Sequence, residues 1–273
     1  MITISQALVA SQTLGLDRLD TQLLLLHALG KPDSDRAWLL AHDADALAGD
    51  AADVFRALSL RRASGEPLAY IVGYKEFFGL KFAVDARVLV PRPDTETLVQ
   101  WALDVVKDIA APDILDMGTG SGAVGIAIAH HVKSRVTATD FSQQALAVAL
   151  DNAQRLGADV QLIHSNWFEN IKGHFHAIVS NPPYIASADR HLAALTHEPL
   201  NALAAGEGGL DDIRQIIELA PEHLTPGGWL LLEHGYDQAA AVCALLARRG
   251  FTQVQSRMDL AGIARCSGGL WNT

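Results

Sequence analysis

Apolar positions follow two different rhythms along this chain, and the change between them divides it. Up to about residue 65 the spacing is helical. Thr3-Ile4-Ser5-Gln6 has capping-box spacing and leads into apolar residues at helical intervals. A second amphipathic stretch runs from about Asp17 to Leu29 and stops at Gly30, with Lys31-Pro32 beyond. Two more helical patterns cover roughly Asp35 to His42 and Asp50 to Arg62. From Tyr70 the pattern turns to aromatic and β-branched residues punctuated by glycine: Tyr70-Ile71-Val72-Gly73-Tyr74, then Phe77-Phe78-Gly79-Leu80-Lys81-Phe82. That reads as a β-hairpin. Pro91-Arg92-Pro93-Asp94 follows, and a helix from about Thr95 to Lys107.

Beyond Ala111-Pro112 strands and helices alternate. Strands are predicted at Asp113–Met117, Val136–Thr139, Val160–His164, Phe175–Ser180, Gly228–Glu233, Gln253–Met258 and near Ile263–Cys266. The helices between them lie near Val124–His131, Gln143–Leu156, Leu210–Ala220 and Asp237–Arg248. Such alternation predicts an α/β fold with a largely parallel sheet covered on both faces. Residues 185–209 show no clear period, and an irregular stretch of that length in a compact domain is often part of a site. The expected organisation is a helical bundle over residues 1–68, a β-hairpin linker over 69–90 and a Rossmann-like domain over 91–273.

Composition narrows the function. Of the 273 residues 49% are hydrophobic and 19% charged, enough for a sizeable core. A formal net charge of −10 argues against non-specific binding to a phosphate backbone, although Arg61-Arg62 leaves room for a local basic patch. Cys243 and Cys266 sit far apart in apolar surroundings and read as small core residues in a reducing compartment. The start of the chain has no basic n-region, and no apolar stretch has the length of a membrane span, so a cytoplasmic protein is expected. His174 and His176 share a strand, but no metal-binding spacing accompanies them and no metal is expected.

The chemistry lies in two loops. The first strand ends in Asp116-Met117-Gly118-Thr119-Gly120-Ser121-Gly122, with a helix immediately after. Glycines there allow backbone to approach a ligand closely. Asp140, at the end of the second strand, can accept hydrogen bonds from the ribose hydroxyls of an adenosine. The loop also satisfies the dinucleotide pattern, so by itself it does not separate a nicotinamide cofactor from S-adenosylmethionine. Two features favour the latter. Asp116 stands where a carboxylate suits a cationic amino-acid tail better than a pyrophosphate, and Asn181-Pro182-Pro183-Tyr184 follows the fourth strand. The two prolines fix φ and remove two N–H groups, which stiffens a loop with an amide before it and an aromatic face after it. Such a loop suits a planar, amine- or amide-bearing group beside a sulfonium methyl. Asn166-Trp167-Phe168, after the third strand, is placed to border an adenine ring; for Trp167 and Phe168 ordinary core packing is an equal alternative.

These motifs resemble a known family. Glu66-Pro67-Leu68-Ala69-Tyr70, Gly73, Glu76-Phe77, Pro91-Arg92-Pro93-Asp94-Thr95-Glu96, the glycine loop, Asn181 to Tyr184, Glu198-Pro199 and Glu233-His234-Gly235 occur in the same order in the HemK/PrmC proteins. The resemblance covers about residue 66 to the C-terminus, and the N-terminal helices fit the family's layout. It implies a class I methyltransferase fold and an enzyme that transfers a methyl group from S-adenosylmethionine to the glutamine N5 of the Gly-Gly-Gln motif in peptide chain release factors. It implies that Gly118, Thr119, Gly120, Ser121, Gly122, Asp140, Asn166, Trp167 and Asn181 contact the cofactor. It also implies that Asn181, Pro182, Pro183 and Tyr184 hold the glutamine, with Asn181, Pro182 and Tyr184 catalytic. Position 166, often Asp in the family, is Asn here, and its oxygen can still accept a bond from an adenine amino group. Sister readings are methylation of a ribosomal-protein glutamine and, against the acidic charge, of a nucleobase amino group. Neither a membrane nor direct nucleic-acid binding is expected, and the roles of Glu198 and Glu233 stay open.

Overall fold

The structure is a computed structural model that describes residues 2–187, 189, 192, 195–203, 205, 206 and 208–272. It consists of two compact units, one ending at Tyr74 and the other beginning at Lys75.

The first unit is helical: α1 (Ile4–Gln12), α2 (Arg18–Ala28), α3 (Arg36–Ala41), α4 (Gly49–Ala63) and α5 (Leu68–Val72). The capping box is present, with Gln6 N–H donating to the Thr3 hydroxyl at 3.2 Å and Thr3 N–H to the Gln6 side chain at 2.9 Å. Ile4, Leu24, Leu25, Leu26, Leu39, Phe55 and Ile71 form its core. The basic patch considered at Arg61-Arg62 is neutralised: Arg61 donates twice to Glu66, at 2.8 and 2.5 Å, and Arg62 pairs with Asp20 at 2.6 Å. The strand expected at Tyr70–Tyr74 is also corrected. Tyr70-Ile71-Val72 close α5, because Pro67 starts the helix, Gly73 ends it at φ 84°, and Ile71 is drawn into the helical core. Burial there outweighs β propensity.

The second unit opens on a hairpin whose strands are β1 (Tyr74–Phe77) and β2 (Leu80–Ala83). Its two-residue turn has φ 50° at Phe78 and 76° at Gly79, which matches the twist of the paired strands. A single 3₁₀ turn over Pro93–Thr95 leads into α6 (Glu96–Val106). Then come β3 (Asp113–Met117), α7 (Ala123–His131), β4 (Arg135–Asp140), α8 (Gln143–Leu156), β5 (Val160–His164) and β6 (Phe175–Ser180). The unit ends with α9 (Asp211–Leu219), β7 (Leu224–Glu233), α10 (Ala239–Arg249), β8 (Thr252–Met258) and β9 (Ala264–Trp271).

The seven-stranded sheet has the order β5-β4-β3-β6-β7-β9-β8. Its first five strands pair in parallel, and β9 runs antiparallel between β7 and β8. β3 and β6 are buried along nearly their whole length, as strands covered by helices on both faces must be. From β3 the chain moves outward through β4 and β5, then returns to place β6 on the other side of β3. That reversal opens a crevice at the carboxyl ends of the two central strands. Met117 and Ser180 are register partners, so Gly118 and Asn181 leave the sheet side by side.

Two strands outrun their expected bounds. β7 begins four residues earlier than Gly228, across an irregularity in its pairing with β6. β9 continues through Gly268-Gly269 to Trp271, because strands on both sides satisfy its backbone. Within the stretch 185–209, part of which lies outside the described residues, Ile185 exchanges backbone hydrogen bonds with Leu203 and Ala205.

Candidate active site

Gly118, Gly120 and Gly122 all have left-handed backbone, with φ 69°, 55° and 83°, which folds the loop back over the end of β3 and caps α7. Asp116 organises this turn from beneath. One of its oxygens accepts the Thr119 hydroxyl at 2.6 Å and the Gly125 N–H at 2.9 Å. The carboxylate is 1% exposed, and burial pushes its pKa up to about 6 against those two bonds. It does not line the crevice, so the expectation that Asp116 meets a cationic amino-acid tail is replaced by a role inside the loop.

Asp140 binds the loop from the adjacent strand. Its Oδ2 accepts the Gly120 N–H and its Oδ1 the Ser142 N–H, both at 2.9 Å. Burial raises its pKa, and these backbone bonds oppose the rise. Gly118, Gly120, Asp140, Asn166, Trp167, Asn181 and Pro183 line one cavity of about 330 Å³. Asn166 donates its amide nitrogen to Glu169 at 3.0 Å, which leaves Oδ1 as the acceptor turned to other partners. Trp167, itself at φ 47°, lays its ring against Gly118 and donates Nε1–H to Asp212 at 3.2 Å. Thr119, Ser121 and Gly122 are not on the cavity wall. Thr119 is spent on Asp116, and the Ser121 carbonyl accepts from Asn152 at 2.9 Å.

The proline loop forms the facing wall. Asn181 donates Nδ2–H to the Thr95 hydroxyl at 3.3 Å. No hydrogen bond within the described residues occupies the Pro182 carbonyl. Pro182 is buried, and neither it nor Tyr184 lines the cavity itself. The Tyr184 hydroxyl lies 3.5 Å from the Glu233 carboxylate, and its carbonyl accepts from Gln238 at 3.1 Å. Burial beside Glu233 raises the Tyr184 phenol pKa.

Comparison with known proteins decides the family. Residues 95–241 match the methyltransferase small domain, and residues 3–73 match the PrmC N-terminal domain. A release factor glutamine methyltransferase of Bordetella pertussis is 48% identical over 260 residues, 93% of this chain and 95% of the relative. The chain belongs to the release factor glutamine methyltransferase family. Another member, from Pseudomonas aeruginosa, is 46% identical over 93% of this chain and 92% of its own length. A methyltransferase from Pyrococcus furiosus shares the fold, with a TM-score of 0.54 at 21% identity over 73% of this chain and 92% of that one.

Several features of this family member escape a reading by spacing. Phe141, 51% exposed beside Asp140, lines the cavity, and its only sequence signal is its position after the acid. Asp212, on the first turn of α9, lines it too. Asn152 joins the glycine loop to the hairpin: it donates to the Ser121 and Ala83 carbonyls and accepts the Ala83 N–H at 2.7 Å. Glu198 bonds Arg92 at 2.6 Å, while the second oxygens of Glu198 and Glu233 are buried without a partner. His176 accepts the Asp113 N–H at 3.0 Å through Nδ1, a structural use of a histidine first weighed for metal.

Proposed function

We propose that this chain transfers a methyl group from S-adenosylmethionine to the side-chain amide nitrogen of the glutamine in the Gly-Gly-Gln motif of peptide chain release factors. The observation that carries the reading is the meeting of Asp140 and Asn181 in one cavity, at the ends of strands on either side of β3.

The residues present fit the cofactor. Asp140 is held rigidly by two backbone N–H groups and faces the cavity, as a ribose acceptor should. Phe141 offers an exposed aromatic face, the Asn166 Oδ1 suits an adenine amino group, and Trp167 closes the wall above Gly118. Asp140, Asn166, Trp167 and the glycine loop therefore form the cofactor side. Thr119, Ser121 and Gly122 support it as the frame of that loop. When bound, S-adenosylmethionine supplies a methyl carbon made electrophilic by its positive sulfur.

The chain's own task is to present the amide. A carboxamide nitrogen is a poor nucleophile, because its lone pair is delocalised by the resonance that gives peptide bonds a rotation barrier of about 18–20 kcal/mol. Asn181 Oδ1 and the Pro182 carbonyl each accept one N–H of the glutamine, while Pro183 and Tyr184 bound the amide plane. Two acceptors on the hydrogens raise electron density on nitrogen and favour its pyramidalisation. Holding the group in line can itself lower the barrier by about 7–11 kcal/mol. The surplus proton leaves the nitrogen to water. The N-terminal helical unit serves recognition of the protein substrate.

The test uses labelled S-adenosylmethionine with, separately, a purified release factor, ribosomal proteins and DNA, followed by mass spectrometry of the product. Label on the Gly-Gly-Gln glutamine, lost in Asn181→Ala, is the expected result. Label on a nucleobase or on a ribosomal-protein glutamine in place of the release factor overturns the assignment.

A further inference from the structure

Gln238, in the turn between β7 and α10, has no part in the mechanism above, yet its side chain joins three backbone segments of the second unit. Its Oε1 accepts the Gly235 N–H at 2.8 Å. Its Nε2 donates to the Tyr184 carbonyl at 3.1 Å and to the Gly209 carbonyl at 3.4 Å. These partners fix which way the amide points. A backbone N–H only donates and a backbone carbonyl only accepts, so the oxygen must face Gly235 and the nitrogen the two carbonyls. Each Nε2 hydrogen then has its own acceptor, and no backbone N–H among the described residues reaches either carbonyl.

We propose that Gln238 is a positioning residue that ties the Asn181-to-Tyr184 loop to the start of α9 and so fixes where that loop presents the substrate amide to the cavity. This rests on the glutamine methylation proposed above. The two ends of the tie differ in firmness. Gly209 stands two residues before α9, whose Ile213, Ile216 and Ile217 are buried in the core. Asp212, in the same helix, lines the cavity and accepts the Trp167 Nε1–H. Packing therefore anchors the α9 end beside the cofactor wall. On the loop end the prolines supply no N–H. The polar side-chain contacts there are long: Asn181 to Thr95 at 3.3 Å and Tyr184 to Glu233 at 3.5 Å. Beyond Tyr184 the backbone continues as a short ladder, in which Ile185 donates to Leu203 and accepts from Ala205, and Ser187 donates to Gly206. Released from Gln238, the loop is the end that shifts, and a misplacement of about 1 Å can cost about 100-fold in rate.

A purely local role would be to close its own turn, since the Gln238 N–H donates back to the Gly235 carbonyl at 3.0 Å. Gln238→Glu separates the two roles. The carboxylate has nearly the same shape and still accepts the Gly235 N–H, but when ionised it has no hydrogen for Tyr184 or Gly209.

In Gln238→Glu the expected fall in kcat is about 10- to 100-fold, with S-adenosylhomocysteine affinity changed less than about threefold. Amide hydrogen exchange of the protein without ligands reports the tie apart from any turnover. Exchange at Ile185, Ser187 and Ala205 should quicken by about tenfold, while Gly235 stays within about twofold of wild type. Gln238→Met, of similar length and without these hydrogen bonds, should give the same fall in kcat and the same faster exchange in the ladder, and it serves where the added charge prevents folding. A folded variant with kcat within about twofold of wild type, or with unchanged exchange at Ile185, Ser187 and Ala205, overturns the proposal. Failure of the functional reading looks different: wild type then leaves release factor unmodified, and the exchange rates still decide whether Gln238 holds the loop.

Discussion

Asp140 accepts the Gly120 N–H at 2.9 Å across a separation of 20 residues, so the acid that closes β4 also sets the shape of the loop that closes β3. Asp140→Ala should therefore do two things. It leaves the Gly120 and Ser142 N–H groups without their acceptor, at a cost of about 1–3 kcal/mol in stability. It also removes the acceptor proposed for the ribose, which should lower S-adenosylhomocysteine affinity by about 10- to 100-fold. Calorimetric titration and denaturant unfolding separate the two effects. Asp140→Asn, which keeps one acceptor, should lose affinity with a smaller loss of stability.

Asp116 makes the opposite contrast. Its oxygen that holds Thr119 and Gly125 has a counterpart in the Asn carbonyl, so Asp116→Asn should fold and keep much of its cofactor affinity. Asp116→Ala leaves a buried hydroxyl and a buried N–H unpaired, and should cost about 2–4 kcal/mol by thermal or denaturant unfolding. Equal stability of the two variants would show that the loop does not depend on that oxygen.

Gly209 sets a steric limit on the proline loop. Its φ is 66°, and a Cβ there would lie 2.4 Å from the Tyr184 carbonyl oxygen and 3.0 Å from the Gln238 amide nitrogen. Gly209→Ala must push the Tyr184 backbone away from its tie to Gln238. Expected are a loss of about 1–3 kcal/mol in stability and a fall in kcat larger than any change in cofactor affinity. Normal kcat in this variant would mean that the backbone after Pro183 tolerates displacement.

Glu233 should make stability depend on pH in a defined direction. Its pKa rises from 4.5 to about 7 in the folded protein, so the native state holds a proton that the unfolded state has released. The associated stability is fully present below about pH 4.5 and is lost as pH rises to about 7, a loss of about 3 kcal/mol. Glu233→Gln should be more stable than wild type at about pH 8 and nearly equal to it at about pH 4. Urea unfolding at the two pH values measures the difference. A variant less stable than wild type at the higher pH would show that the ionised carboxylate stabilises the native state.

The alternation of strand and helix from Asp113 onward, the glycine loop, Asp140 and the proline loop were all legible in the sequence, because each is a local pattern. Periodicity reports which face is buried, glycine reports left-handed backbone, and consecutive prolines report a stiff loop. Local propensity misled where burial overruled it, as at Tyr70-Ile71-Val72, which joins a helix through Ile71. Gly268-Gly269 likewise reads as a break and is interior strand, because β7 and β8 hold both of its edges.

What the chain alone determined, then, is the set of parts: a helical unit, a wound sheet, a glycine loop and a proline loop. Tertiary structure decided their facing and their wiring. It set β6 beside β3, turned Asp116 inward, and brought Thr95 to Asn181 across a separation of 86 residues. The physical reason is that a carboxylate or a hydroxyl acts through the donors and acceptors around it. Those neighbours come from distant segments whose proximity no local spacing encodes.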